Sequence, residues 1–286
     1  MKIIIFGGSG FLGSHVSEEL IKRGHKVTII DNNRPRLNTF NYKFIKCDIL
    51  NSKKIKKIIS HNSIVYNFAA IADIGDSYLN PSKTIQINVI GNINILEACR
   101  YYKIKRYIFA SSIYVYSNQG GFYRASKQSS EIFIEEFSKN YNIPYTILRY
   151  GSIYGPRSDI KNGVYKIVHD TLKIKKAIYR GTNKAIRSYI YVKDAAKISA
   201  DVLRKKYENT NVLVTGKIPI KVSQLLIKLK RLLKIKKKLV FLNQTQKGHY
   251  DVTPYSTKPK KTIKLIPKKI TKLDNGLAEL IKIIKT

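Results

Sequence analysis

The chain has no tryptophan, one methionine and only two cysteines in 286 residues. Cys47 and Cys99 lie far apart and show no metal-ligand spacing, so neither a disulfide framework nor a zinc site is expected. Such thiol usage suits a reducing, cytoplasmic setting. No apolar run approaches the roughly 20 residues that a membrane-crossing helix needs. The N-terminal run Met1-Lys2-Ile3-Ile4-Ile5-Phe6 meets glycine too early for a signal peptide and reads as a buried strand. Acidic side chains are also scarce: 18 Asp and Glu stand against 54 Lys and Arg, a net charge of +36. From Lys217 to Thr286 there are 19 basic residues against Asp251, Asp274 and Glu279. A chain this basic can hold nucleic acid, an anionic membrane or an acidic substrate, or simply carry lysine on solvated faces. It has no nucleic-acid motif, so that partner is not expected. Peripheral contact of the basic C-terminal quarter with an anionic membrane stays open.

What the sequence does have is 43% hydrophobic residues, enough for one large domain or a domain with a smaller lobe. β-branched runs at Lys2–Phe6, Lys26–Ile30, Lys43–Lys46, Ile64–Phe68, Arg106–Ser111 and Tyr145–Arg149 read as strands. Helical patterns fall between them at Leu12–Arg23, Asn88–Tyr102 and Tyr123–Tyr141. That alternation predicts an α/β fold, a Rossmann-type doubly wound parallel sheet, with ligands at the carboxyl ends of its strands. After Gly155-Pro156 the pattern loosens. Tyr165–Lys175 and Ser223–Leu233 read as helices and Asn211–Thr215 as a strand. The expected division is residues 1–155 for the nucleotide-binding domain and 156–286 for a smaller substrate-binding lobe that returns an element to the sheet. Lys258–Lys272, basic and punctuated by proline, reads as a loop-rich surface segment.

Phe6-Gly7-Gly8-Ser9-Gly10-Phe11-Leu12-Gly13 follows the first strand and opens a helix. Glycines let the backbone turn tightly and approach a pyrophosphate, which the helix N-terminus then holds with free N–H groups. The run fits G-x-G-x-x-G through Gly8, Gly10 and Gly13, or G-x-x-G-x-x-G through Gly7, Gly10 and Gly13. Asp31 ends the second strand, where a carboxylate accepts the ribose hydroxyls and repels a 2′-phosphate; NAD is favoured over NADP. Arg34 and Arg36 stand close enough to soften that preference. Asp48 follows the third strand and reads either as a contact to the adenine amino group or as a turn cap.

Tyr123 and Lys127 are four residues apart in Tyr123-Arg124-Ala125-Ser126-Lys127 and share a helix face. A phenol with a pKa of about 10 is a poor base at neutral pH, and bringing it to ~7 takes roughly 4 kcal/mol of differential stabilisation. A nearby ammonium supplies part of that. Ser112, at the end of the strand just upstream, is placed to reach a sugar hydroxyl or Tyr123.

With these residues in order, the chain resembles the extended short-chain dehydrogenase/reductase family, specifically its NAD-dependent sugar-nucleotide epimerases and dehydratases, of the UDP-glucose 4-epimerase-like kind. Val65–Ala70, Asn88–Ala98, Leu148–Arg157 and Arg187–Asp194 resemble further family segments. The resemblance favours the spacing through Gly7, Gly10 and Gly13. It implies that Tyr123 is the acid/base, Lys127 its partner and Ser112 a sharer of the proton path. It implies that NAD touches Gly7, Gly10, Phe11, Leu12, Gly13, Asp31, Asn32, Asp48, Ile49, Phe68, Ala69, Ala70, Asn88, Tyr123 and Lys127. A nucleotide-diphosphate sugar would meet Ser112, Ser152 and Arg187, the last gripping the diphosphate. A homodimer through the helices at Asn88–Tyr102 and Tyr123–Tyr141 is implied, and no metal. The chain departs from the family at Asn67, usually histidine, at Ser152, usually asparagine, and in the short stretch between Tyr116 and Tyr123. Family dehydratases carry Thr-Asp-Glu where this chain has Ser112-Ile113-Tyr114, which favours C4 epimerisation through a transient 4-keto sugar. A keto-sugar reductase and a non-catalytic dinucleotide-binding regulator are the alternatives.

Overall fold

The computed structural model describes residues 1–35, 41–237, 239–242, 262–267 and 269–285. Its frame is a parallel sheet whose inner strands are apolar on both faces, as burial between two helical layers requires. In chain order the first strands are β1 (Lys2–Phe6), β2 (Lys26–Asp31), β3 (Lys43–Lys46), β4 (Ile64–Asn67), β5 (Arg106–Ser112) and β6 (Tyr145–Tyr150). Three short strands come next, β7 (Ser152–Tyr154), β8 (Ile178–Tyr179) and β9 (Ile186–Arg187), followed by β10 (Tyr189–Tyr191) and β11 (Thr210–Val214). The last are β12 (Ile220–Lys221), β13 (Val240–Phe241) and β14 (Thr262–Leu265). Eight of them form one sheet in the order β14-β11-β6-β5-β4-β1-β2-β3. The Rossmann-type doubly wound expectation holds. The chain reverses its direction across the sheet between β1 and β4, which opens a crevice beyond their carboxyl ends.

Alternation along β1 sends Ile3 and Ile5 to one core and Ile4 and Phe6 to the other. The first core is closed by α1 (Phe11–Lys22) and α8 (Val192–Asp201), through Val16, Leu20, Ala195 and Ile198. The second is closed by α2 (Ser52–Ile58), α5 (Gly91–Tyr101) and α6 (Gly121–Tyr141), through Ile55, Ile95, Leu96 and Ile134. Between α2 and α5 lie α3 (Ile74–Leu79) and α4 (Pro81–Ile85). A third core gathers around α7 (Gly163–Ile174), α9 (Val222–Leu232) and α10 (Leu273–Lys285), with Val168, Leu226, Leu229 and Leu280 at its centre.

One expectation needs correction, and two strand pairings were not foreseen. The helix expected over Asn88–Tyr102 is two pieces: Gln86–Ile90 is a turn of π-helix that leads into α5. The extra residue in that turn re-aims Asn88 toward the loop after β4. Within Lys258–Lys272, read as a loop-rich surface segment, Thr262–Leu265 is the edge strand β14, paired with β11. Lysine and a following proline are how an edge strand blunts itself, and they also hide it from a pattern search. The Tyr154–Tyr191 region contributes a two-stranded pair, β7 with β10, that was not foreseen. Arg36 lies outside the described residues. Cys47 and Cys99 are buried free thiols. Among the described residues no helix is long and apolar enough to cross a membrane, and no group of three potential ligands could hold a metal ion.

Candidate active site

The glycine loop stands between β1 and α1, at the crevice. Gly7 has φ +72°, a conformation that favours glycine, and a Cβ there would lie 2.4 Å from the Ala69 nitrogen. A Cβ on Gly13 would lie 2.1 Å from the Gly7 carbonyl oxygen. Both positions are fixed by the protein's own close packing. Gly10 differs: a Cβ there would meet only the Gly7 oxygen, at 3.4 Å. The fold leaves room at Gly10, the N-cap of α1, beside N–H groups of the first turn that have no acceptor inside the helix. That is the space and polarity a pyrophosphate takes.

Asp31 Oδ2 accepts the Ser9 amide at 3.0 Å and Oδ1 the Asn33 amide at 3.1 Å, tying the end of β2 to the loop. Arg34 turns away, its guanidinium carbon 5.9 Å from the centre of the Phe44 ring. Asp48 caps its own turn through the Leu50 amide at 2.8 Å, with Asn32 Nδ2 at 3.5 Å. Ile49 is buried, its carbonyl held by Asn94, so its side chain belongs to the core.

After β4, the Phe68 amide bonds the Phe6 carbonyl at 2.8 Å, which sets Phe68, Ala69 and Ala70 beside the glycine loop. Asn67 Oδ1 accepts the Ala69 amide at 3.1 Å, and its Nδ2 donates to Asn92 Oδ1 and the Tyr107 hydroxyl, both at 3.0 Å. Asn67 thereby holds the turn from a buried polar network. Asn88 holds the next residues: it clasps both the amide and the carbonyl of Ile71 and donates to Ser126 Oγ at 2.9 Å. Its amide is spent on positioning.

Ser112 closes β5 and accepts the Tyr114 amide at 3.3 Å. Behind it, α6 presents Tyr123 and Lys127 on one face. Lys127 Nζ donates to the Ala110 carbonyl at 2.8 Å and lies 5.9 Å from the centre of the Tyr123 ring. Burial pushes the Lys127 ammonium down to about 8, and the Glu131 carboxylate pulls the other way. The short link from Tyr116 to Tyr123 turns on Gly120 (φ +105°) and Gly121 (φ +48°). Tyr114 packs against that turn and meets Tyr123 edge-on, ring centres 6.1 Å apart.

A cavity of about 700 Å³ opens in front of Ser112. Ser112, Ser152 and Arg187 all line it, so the three expected substrate contacts share one space. Four cations, Lys161, Lys166, Arg180 and Arg187, border it against two carboxylates, Asp73 and Asp170. The balance favours an anionic guest such as a diphosphate.

The profile of the NAD-dependent epimerase/dehydratase family matches residues 3–215. The chain belongs to this family. A Methanocaldococcus jannaschii relative provisionally named UDP-glucose 4-epimerase is 34% identical over 237 residues, 75% of this chain and 77% of that protein. A dTDP-D-glucose 4,6-dehydratase of Dictyostelium discoideum is 29% identical and covers 75% of this chain and 58% of its own length. Among solved structures, UDP-glucose 4-epimerase from Thermotoga maritima with UDP-glucose gives a TM-score of 0.83 at 26% identity, covering 100% of this chain and 99% of that one. UDP-glucuronic acid 4-epimerase from Bacillus cereus with UDP-glucuronic acid and NAD gives 0.84 at 25% identity and the same coverage. NAD is the cofactor of this epimerase/dehydratase family member, an extended short-chain dehydrogenase/reductase, and the unfilled space at Gly10 with the Asp31 carboxylate beside it fits that group.

Sequence reasoning missed a buried cluster behind the face of α6 that carries Tyr123 and Lys127. Glu131 Oε1 accepts Ser111 Oγ at 2.5 Å and Arg149 Nε at 3.0 Å, while Oε2 accepts Arg149 Nη2 at 2.5 Å. Two signals were available: Glu131 stands four residues after Lys127 on one helix face, and Arg149 sits in an otherwise apolar inner strand. Tyr114 and the cavity cations Lys161, Lys166 and Arg180 were missed as well, because they come from separate parts of the chain: the turn after β5, the start of α7 with the loop before it, and the residue after β8.

Proposed function

We propose that the chain is an NAD-dependent epimerase of nucleotide-diphosphate sugars, inverting C4 through a transient 4-keto sugar. The observation that supports this reading is a chain of contacts: Ser112 and Tyr114 line a cation-rimmed cavity, Tyr114 meets Tyr123 edge-on, and Lys127, on the same face of α6, bonds Ala110 two residues before Ser112. Gly7, Gly10, Gly13 and Asp31 would hold NAD, which when bound accepts and returns the C4 hydride. Arg187 and the other rim cations grip the diphosphate, leaving the sugar free to present either face. Tyr123, its phenolate favoured by the Lys127 ammonium, takes the C4 hydroxyl proton and later gives it back. Ser112 steadies the same oxygen. Positions 113 and 114 are isoleucine and tyrosine, so no carboxylate stands there to drive loss of water, which supports epimerisation over dehydration. A second copy of the chain covering exposed Ile132 and Phe133 of α6 would give the homodimer.

The test is product analysis with UDP-glucose, UDP-galactose and the two corresponding uronates, with Tyr123→Phe as control. Interconversion of a 4-epimer pair without net NADH change is expected, and Tyr123→Phe should lower it at least a thousandfold. Stoichiometric NADH consumption would instead mark a keto-sugar reductase.

A further inference from the structure

We propose that Glu131 is a positioning residue, which pins the helix bearing Tyr123 and Lys127 to the end of the strand bearing Ser112 and sets its carboxylate one helical turn from Lys127. The inference rests on the roles given to Tyr123 and Lys127 above.

Helix α6 grips β5 at two consecutive residues. Lys127 holds the Ala110 carbonyl, and one helical turn later Glu131 holds the Ser111 hydroxyl. The next residue is Ser112. Two side chains on one face of α6 thus set the height and angle of that helix against the strand end that faces the cavity. Glu131 is in turn fixed by both arms of the Arg149 guanidinium, a fork-to-fork pair with its own geometric demand. Arg149 lies directly opposite Ser111 in the β5–β6 register. It is braced further by the Tyr116 hydroxyl and by Thr262 Oγ1 at 3.1 Å.

Glu131 and Arg149 are both buried, at 6% and 8% exposure. A well-packed apolar pair would be at least as stable in such a place, so stability alone gives little reason for the ions. Glu131 does not line the cavity, so it has no contact with substrate there. What it offers is a fixed negative charge one turn from Lys127. Burial works against the Lys127 ammonium, and Glu131 is the carboxylate that opposes it. The ionisable groups on the packed elements do not replace it. Tyr107 of β5 donates to Asn92, Tyr114 of the turn after β5 packs on Tyr123, and Cys99 of α5 is a buried thiol. Asp76 of α3 is engaged with Lys161 at the surface, and Arg149 of β6 is itself cationic.

The experiment is the kcat–pH profile of the holoenzyme carrying Glu131→Gln, which keeps the size, the Ser111 contact and one Arg149 contact but removes the charge. The alkaline limb, where Lys127 loses its proton, is expected to move down by about one unit, costing about threefold in kcat at pH 7.5. NAD affinity should change little. Ser111→Ala, a small change that keeps the charge, should lower kcat severalfold with the limb in place. It decides the matter if Glu131→Gln does not fold. A limb that stays put in Glu131→Gln, or wild-type kcat in Ser111→Ala, overturns the inference. Tyr123→Phe separates the two ideas: turnover surviving in that variant sinks the Tyr123 reading, whereas its loss together with an unmoved limb in Glu131→Gln sinks this inference alone.

Discussion

Two glycines of one loop should respond in opposite ways to the same added methyl group. In Gly13→Ala the Cβ lands 2.1 Å from the Gly7 oxygen and 2.9 Å from the Gly8 Cα, all of it backbone. Backbone cannot swing aside as a side chain does, so the cost belongs at the upper end of overpacking, about 3 kcal/mol. For a chain of this size that is a fall in Tm of roughly 6 °C. In Gly10→Ala the backbone is already extended, at φ −71° and ψ 177°, and the Cβ meets one atom at ordinary contact distance. Its stability should fall by no more than about 1 kcal/mol, the ordinary cost of alanine at an N-cap. The methyl group instead enters the space proposed for the pyrophosphate. Losing one charge-assisted hydrogen bond there costs ~1.5–3 kcal/mol, about 10- to 100-fold in the Kd for NAD. Thermal melts without NAD and calorimetric titration with it measure both quantities on the same samples. If Gly10→Ala binds NAD like wild type, or if its NAD-free Tm falls as far as that of Gly13→Ala, the division of roles between these glycines is wrong.

Three further outcomes are expected. His15 is buried on α1 against the Pro156 carbonyl, and burial lowers its pKa from 6.5 to about 4. The unfolded chain therefore binds the extra proton first, so stability is complete above pH 6.5 and declines by about 3 kcal/mol toward pH 4. Denaturant melts of His15→Gln should be flatter than wild type across that window; parallel curves would contradict the assignment. Asn67→Ala strands the Ala69 amide beside the cofactor crevice and should cost about 1–3 kcal/mol, read as a shift in urea midpoint at unchanged slope. Arg187→Met should raise the KM for nucleotide sugar at least tenfold with NAD affinity intact; an unchanged KM would place the diphosphate elsewhere.

The sheet was legible because inner parallel strands are continuous β-branched runs, and β1 is found at the residues its pattern indicated. The crevice was legible because the glycine loop is local: strand, turn and helix N-terminus lie within one short stretch. The cavity was not. Its rim joins Asp73, Lys161 and Arg187 from segments far apart in sequence, and only the folded chain brings them together. Helix α2 was missed because Ser52–Ile58 contributes one buried residue, Ile55, amid lysines. Helix α10 has a clear apolar stripe at Leu273, Leu277, Leu280 and Ile284, but the surrounding basic charge obscured it. Asp48 showed the limit of reading a single carboxylate. Of its two proposed roles, the structure displays the turn cap.

The strand order has a consequence for how the molecule is made. β6 is complete at Tyr150, yet its neighbour β11 begins only at Thr210 and the outermost strand β14 only at Thr262. On a ribosome extending the chain at about 5–20 residues per second, that edge of β6 waits several seconds for β11, and the edge of β11 waits again for β14. A long-lived, unpaired apolar edge is a template for association with other chains. The growing protein must shield Ile147 and Leu148 until then, so a pause in synthesis between Tyr150 and Thr210 should promote aggregation more than one placed after Leu265.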